Sequence, residues 1–150
     1  MNPNLPQPSR EDIEVRITAL LLGELPPAEA ELLRWTISQD AELAKVHDRL
    51  QRTLGLVREV VANPDDVTAK TSAPLPDEQI IRLEGIGLVR ICLAALEPRT
   101  RELIRLKFNE ELSYQEISAR TGLSVGNVGY QLHHALKTIG VELAKTGVLS

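Results

Sequence analysis

Residues Leu112 to Leu136, LSYQEISARTGLSVGNVGYQLHHAL, leave the chain little freedom. Ser113 followed three residues later by Glu116 is the pattern of a capping box, so a helix is expected to start there. Ile117 and Thr121 fall one turn apart on one side of it. Gly122 then supplies a residue tolerant of positive φ, which ends a helix cheaply. Leu123 is expected in the core, and Ser124 is placed to cap a second helix. On that helix Val125, Val128, Leu132, Leu136 and Ile139, spaced three, four, four and three, are expected to face inward. Ser118 is small, as a close crossing of the two helices requires. This is the spacing of a helix-turn-helix, whose second helix normally enters a major groove. A plain helical hairpin inside an all-α core would show the same punctuation.

Composition narrows the fold class. Of the 150 residues 43% are hydrophobic but only 3% aromatic, so the core must be aliphatic. Apolar positions recur at helical spacing with no strand-type alternation, which predicts an all-α protein. A single cysteine, Cys92, excludes an internal disulfide and a cysteine-rich zinc site. Its neighbours Ile91, Leu93 and Leu96 point to a buried structural thiol. No apolar run reaches the roughly 18 residues a membrane helix needs, and the first twelve residues have no leader pattern. A soluble, cytoplasmic protein is therefore expected. The net charge of −4 argues against indiscriminate nucleic-acid binding. It is unevenly spread: residues 1–61 carry 7 basic and 10 acidic side chains, whereas residues 80–150 carry 9 and 7.

Along the chain, residues 1–9 hold three prolines and read as a disordered tail. Residues 10–61 read as a module of three helices. Ser9 caps the first, which runs to about Leu22 with Ile13, Ile17, Leu20 and Leu21 inward. Pro26 and Pro27 open the second, with Ala30, Leu33 and Ile37 on one face. Trp35 fits best packed between helices, although it would also serve as a binding hot spot. Asp40 caps the third helix, whose apolar residues Leu43, Val46, Leu50, Leu54, Val57 and Val61 form a heptad-like seam. Such a seam wants a partner, so Leu43, Val46, Leu50, Leu54 and Val57 are the candidate protein-interaction residues. Residues 62–79, with three prolines among mostly polar residues, read as a linker. Helices are expected at 77–95 and 99–109, followed by the helix-turn-helix, with its second helix running to about Lys145. Residues 80–150 would thus form a four-helix domain without a wing.

The second half carries a family resemblance. Ala95-Leu-Glu-Pro-Arg-Thr-Arg-Glu-Leu-Ile-Arg-Leu-Lys-Phe, Leu112-Ser-Tyr-Gln-Glu-Ile-Ser and Gly122-Leu-Ser-Val-Gly-Asn-Val together resemble region 4 of sigma-70 factors of the extracytoplasmic-function type. The resemblance implies contact with promoter DNA, with the β flap of core RNA polymerase, or with both. The outward positions of the second helix are Ser124, Gly126, Asn127, Tyr130, Gln131, His134 and Lys137. Arg99, Arg101 and Arg105 on the preceding helix would hold the DNA backbone or simply form its wet face. Family members carry lysine or arginine at the positions of Gly129, Gln131, His134 and Leu136. Here Lys137 is left as the firm cation of that face, so phosphate contacts should be depleted. Asn127 and Gln131 suit adenine edges, and Tyr130 suits a phosphate or a thymine methyl.

The first half has a resemblance of lower specificity. Leu21-Leu-Gly-Glu-Leu-Pro-Pro-Ala-Glu-Ala, with a long helix from Asp40-Ala-Glu-Leu, resembles the small helical domain of anti-sigma factors. Zinc-bearing members have His-x-x-x-Cys-x-x-Cys where this chain has Thr36, Asp40 and Leu43. A zinc-free variety, with no cofactor, is implied. No stretch resembles the sigma region 2 that melts promoters, so the chain is not expected to start transcription alone.

No enzyme signature is present. Neighbouring His133 and His134 point about 100° apart on a helix, the wrong geometry for joint metal binding. Glu110 and Glu111 read as a solvated loop. The expected function is transcription regulation through promoter DNA, the polymerase flap or both. The alternative is an anti-sigma or sigma-decoy module that never touches DNA. A sigma or anti-sigma partner, or a second copy of the chain, would cover the apolar seam of the third helix. The N-terminal module would otherwise dock on the C-terminal domain and mask it.

Overall fold

Helix punctuation in the sequence is realised almost residue for residue in the computed structural model, which describes residues 9–62 and 77–147. The proline-bearing segments 1–8 and 63–76, which supply most of the expected tail and linker, lie outside the described residues. The fold is all-α. In chain order the helices are α1 (Arg10–Leu21), α2 (Pro27–Ser38), α3 (Ala41–Ala62), α4 (Asp77–Ala95), α5 (Pro98–Phe108), α6 (Tyr114–Thr121) and α7 (Val125–Lys145). Among the described residues no helix is long and apolar enough to cross a membrane, and no cluster of potential ligands is arranged to hold a metal ion.

The chain divides into two compact units, residues 1–48 and 49–150, with the boundary inside α3. In the first unit Ser9 and Asp12 form a reciprocal capping box that starts α1. Gly23, at φ 74°, turns the chain after α1, and Pro27 opens α2 in its first turn. Ile17, Ala30, Leu33 and Ile37 are buried. Asp40 Oδ1 accepts from the backbone N–H groups of Glu42 and Leu43, which starts α3. Trp35 departs from its expected place between helices. It is 63% exposed, and Leu32, one turn before it, is 66% exposed. The register of α2 explains this, because Ala30, Leu33 and Ile37 already occupy the inward stripe.

In the second unit α7 is the central element, packed against α4, α5 and α6. Val128, Leu132, Leu136, Ile139 and Leu143 form its fully buried stripe. Burying an aliphatic side chain of this size stabilises by about 1.5–3 kcal/mol, so this stripe is the main cohesive feature of the unit. Val125 was expected to join it but is 43% exposed. It is the first residue of α7, a turn ahead of the point where the stripe meets its neighbours.

Residues 49–62 of α3 belong to this same unit. The seam residues Leu50, Leu54 and Val57 are buried there, together with Thr53 and Val60, and Leu43 is buried in the first unit, while Val46 is half-buried. Thr53 tolerates full burial because its hydroxyl donates to the Arg49 carbonyl at 2.9 Å. Gly140 of α7 lies against it. A Cβ at residue 140 would stand 3.0 Å from Thr53 Oγ1 and 3.6 Å from Arg49 Cγ. The exposed Arg82 of α4 pairs with Glu59 of α3, an interaction worth little by itself. Cys92 of α4 is half-buried, and its thiol pKa is pushed up first by burial and then by the nearby Glu142 carboxylate of α7. A raised pKa suits an inert thiol.

The Gly140 crossing has a measurable consequence. Gly140→Leu should destabilise the protein by about 1–3 kcal/mol, because a packed crossing resists added volume. Urea unfolding should show a lower midpoint with an unchanged slope. A fragment beginning at Arg49 should unfold cooperatively, and one beginning at residue 63 should melt earlier, having lost Leu50, Thr53, Leu54 and Val57.

Candidate nucleic-acid interface

The helix-turn-helix is built from short-range hydrogen bonds that the sequence spells out. Ser113 Oγ accepts from the Glu116 N–H at 3.1 Å, and Glu116 Oε1 accepts from the Ser113 N–H at 3.0 Å. The Glu116 carboxyl is held below the ordinary carboxylate range, chiefly by that backbone N–H and then by the Ser113 hydroxyl. Gly122 adopts φ 79° at the end of α6, and its N–H donates to the Ser118 carbonyl. Ser124 Oγ accepts from the Asn127 N–H at 3.1 Å and starts α7.

Ser118 has a different task from the helix crossing expected of it. Its hydroxyl donates to the Leu123 carbonyl, closing the turn. Thr121 Oγ1 donates to the Ile117 carbonyl at 2.8 Å and accepts from the Leu123 N–H at 3.3 Å. The close crossing lies instead between Tyr114 and Gly129. A Cβ at residue 129 would sit 2.9 Å from the edge of the buried Tyr114 ring. Lys107 supports this ring from α5. Its ammonium stands 5.7 Å from the ring centroid and donates to the Leu112 carbonyl at 3.1 Å. The signal for this contact was a glycine inside an otherwise strong helical pattern, which usually marks a packing constraint.

On the opposite side of α7, Ser124, Gly126, Asn127, Tyr130 and Lys137 are exposed, and Gln131 and His134 are half-buried. The Gln131 side-chain amide donates to Asn127 Oδ1 at 3.1 Å. The Tyr130 and His134 rings meet in a tilted arrangement, 4.4 Å between centroids. An open groove of about 300 Å³ runs beside them, lined by Leu96, Glu97, Thr100, Tyr130, Gln131 and His134 among others. His133 faces the core, fully buried.

The basic complement differs from the expectation in two respects. Gly129 and Leu136 are buried, so cations at those two positions would not stand on the outward face. Arg105 is drawn into an acidic group: Nε donates to Glu102 at 3.0 Å and Nη1 to Glu110 at 3.1 Å. Those partners raise the guanidinium pKa further, led by the Glu102 hydrogen bond. Glu110 is exposed in the loop after α5, as expected, and there it also pairs with Arg105. Arg99 and Arg101 are exposed at the start of α5.

With this geometry in hand, comparison with known proteins gives one match. Residues 87–139 match the family Sigma-70, region 4. No curated protein and no solved structure matches the chain. The match runs from Gly87 in α4 to Ile139 in α7 and takes in the helix-turn-helix with its outward face. Residues 49–62 of α3 lie outside it, although they fold in the same unit.

Ser113→Ala should cost about 1 kcal/mol of stability through the lost cap. A lowered native pKa for Glu116 stabilises above the unfolded carboxylate value and is lost as pH falls through the native one. The melting-temperature gap between wild type and Glu116→Ala should therefore be present at neutral pH and close as acid is added below about pH 4. Separately, Gly129→Lys should destabilise through the Tyr114 clash. Gly126→Lys enters open space on an exposed turn and should leave stability unchanged or raise it. Thermal melts of the pair check this directly.

Proposed function

We propose that this protein is a transcription regulator that lays α7 in the major groove of promoter DNA. The β flap of core RNA polymerase is a further partner of the same C-terminal unit. The observation that supports this reading best is the family match at residues 87–139 falling on a helix-turn-helix whose second helix exposes Asn127, Tyr130 and Lys137 together. Arg99 and Arg101 extend the basic character onto α5, where they suit phosphates. A region 4-like domain of this kind docks and does not melt DNA, so the protein regulates initiation and does not catalyse any covalent step.

We read residues 10–61 as an anti-sigma-like module that controls access to the C-terminal unit. This reading is supported by the order of two short helices, α1 and α2, followed by the long α3, where the resembling segments lie. A second reading, a protein-interaction module that leaves DNA alone, is favoured by the neighbouring exposed Leu32 and Trp35 on α2. Large apolar side chains one turn apart on a surface helix are the kind of anchor that protein partners bury.

Salt-titrated binding of the full chain to a promoter library and to core polymerase separates the readings. DNA binding should weaken linearly in log–log form with salt. Lys137→Ala should weaken all sequences and reduce the slope by about 1. Polymerase or sigma binding that is lost with Trp35→Ala, with no DNA binding at any salt, would establish the second reading in its place.

A further inference from the structure

Arg82, Arg105 and Lys145 of the second unit are each drawn to a carboxylate: Arg82 to Glu59, Arg105 to Glu102 and Glu110, and Lys145 to Glu142. Arg49, the first residue of that unit, is exposed, and among the described residues no carboxylate pairs with it. Its stem crosses α7 at Gly140. A Cβ at residue 140 would stand 3.6 Å from Arg49 Cγ and 3.7 Å from Cδ. The side on which the guanidinium leaves this crossing follows from the burial of α7. His133, Leu136, Gly140 and Leu143 are buried, whereas Lys137 and Val141 are exposed. At about 100° per residue, Gly140 stands at the border of the buried arc, and Lys137 is about 60° further round toward the outward face. An exposed guanidinium does not run into an apolar arc, so it leaves on the side of Lys137 and Val141.

We infer that α3 lends the outward face of α7 a phosphate contact, with Arg49 and Lys137 gripping the DNA backbone together. The inference rests on the DNA-binding reading above and adds to it a residue from outside the segment that matches region 4. Position along the helix favours phosphate over base. Gly140 lies about 20 Å along the axis from Asn127, whereas the major groove is about 12 Å wide. With the first turns of α7 in the groove, the Gly140 crossing stands at its phosphate wall. Side chains three apart on a helix lie about 5–6 Å from each other. Phosphates of one strand rise about 3.4 Å per nucleotide, so neighbouring phosphates fall within reach of both cations. Arginine suits the place, because its guanidinium is always charged, is weakly hydrated and offers paired N–H donors to two phosphate oxygens. Resting the stem on α7 restricts its rotamers before DNA arrives, which lowers the freedom that binding has to remove.

The test is salt-titrated binding of the full chain to a duplex selected from a randomised library and to a scrambled duplex of the same length. Arg49→Met keeps an unbranched stem on Gly140 and removes the charge. It should weaken binding to both duplexes by about five- to tenfold near 0.1 M salt and lower the log–log salt slope by about 1. Arg49→Lys should keep the slope, and Arg49→Met combined with Lys137→Ala should lower it by about 2. Wild-type affinity and slope in Arg49→Met would overturn the contact and leave the DNA-binding reading standing. Equal losses in Arg49→Met and Arg49→Lys with the slope unchanged would also overturn it, since they mark a packing role. Absence of any DNA binding by the wild-type chain would overturn the functional reading and the inference with it. The hydrogen bond from Thr53 uses the backbone carbonyl of Arg49, not its side chain. Urea midpoints of the variants should therefore match the wild type, which keeps lost binding separate from lost fold.

Discussion

A single helix has to satisfy two neighbourhoods at once, and the C-terminal unit is arranged around that constraint. One stripe of α7, from Val128 to Leu143, is buried against α4, α5 and α6. The other side is exposed or half-buried. A helix gives about a third of its circumference to a core stripe of this type. Widening the buried arc therefore takes surface from the outward face. Here it is widened at two glycines, Gly129 under the Tyr114 ring and Gly140 under Thr53. The first lets the α7 backbone lie against the Tyr114 ring of α6. The second admits α3 as an additional covering helix.

Both glycines weaken α7 as a helix, by roughly 1 kcal/mol each relative to alanine. Close packing offsets that cost, since dispersion contacts and apolar burial accumulate where backbones approach. The same trade explains the thin basic character of the face. A lysine at 129 would strike a buried ring, and a charge at Leu136 would enter the core. Arg105 is held by Glu102 and Glu110. The outward face is thereby poor in cations and carries the amides and rings of Asn127, Gln131, Tyr130 and His134.

Much of this was legible in the sequence because it is governed by local chemistry. The capping box at Ser113, the left-handed Gly122 and the cap at Ser124 each depend on residues within four positions of one another. Pattern reading therefore placed α6 and α7 correctly, and Asp40 and Pro27 gave the starts of α3 and α2. The contacts that were not legible join residues far apart in the chain. Thr53 against Gly140 is one, and Gly129 against Tyr114 is another, so Ser118 was given a crossing that Gly129 actually makes. Trp35 was misplaced because an aromatic residue is usually buried, whereas its position relative to Ala30, Leu33 and Ile37 turns it outward. The coupling of Asn127 to Gln131 was within reach, since polar side chains four apart on a helix commonly meet.

The seam of α3 shows how one sequence pattern serves two bodies. Leu43 is buried in the first compact unit, and Leu50, Leu54 and Val57 are buried in the second, along one uninterrupted helix. A heptad-like spacing announces that a helix will be covered, but the spacing is silent on what covers it. The part of α3 beyond residue 48 is covered within the helix-turn-helix unit, although it lies outside the segment that matches region 4. Any change that bends or frays α3 near the weak helix former Gly55 would act on Thr53 and thus on its contact with Gly140 of α7.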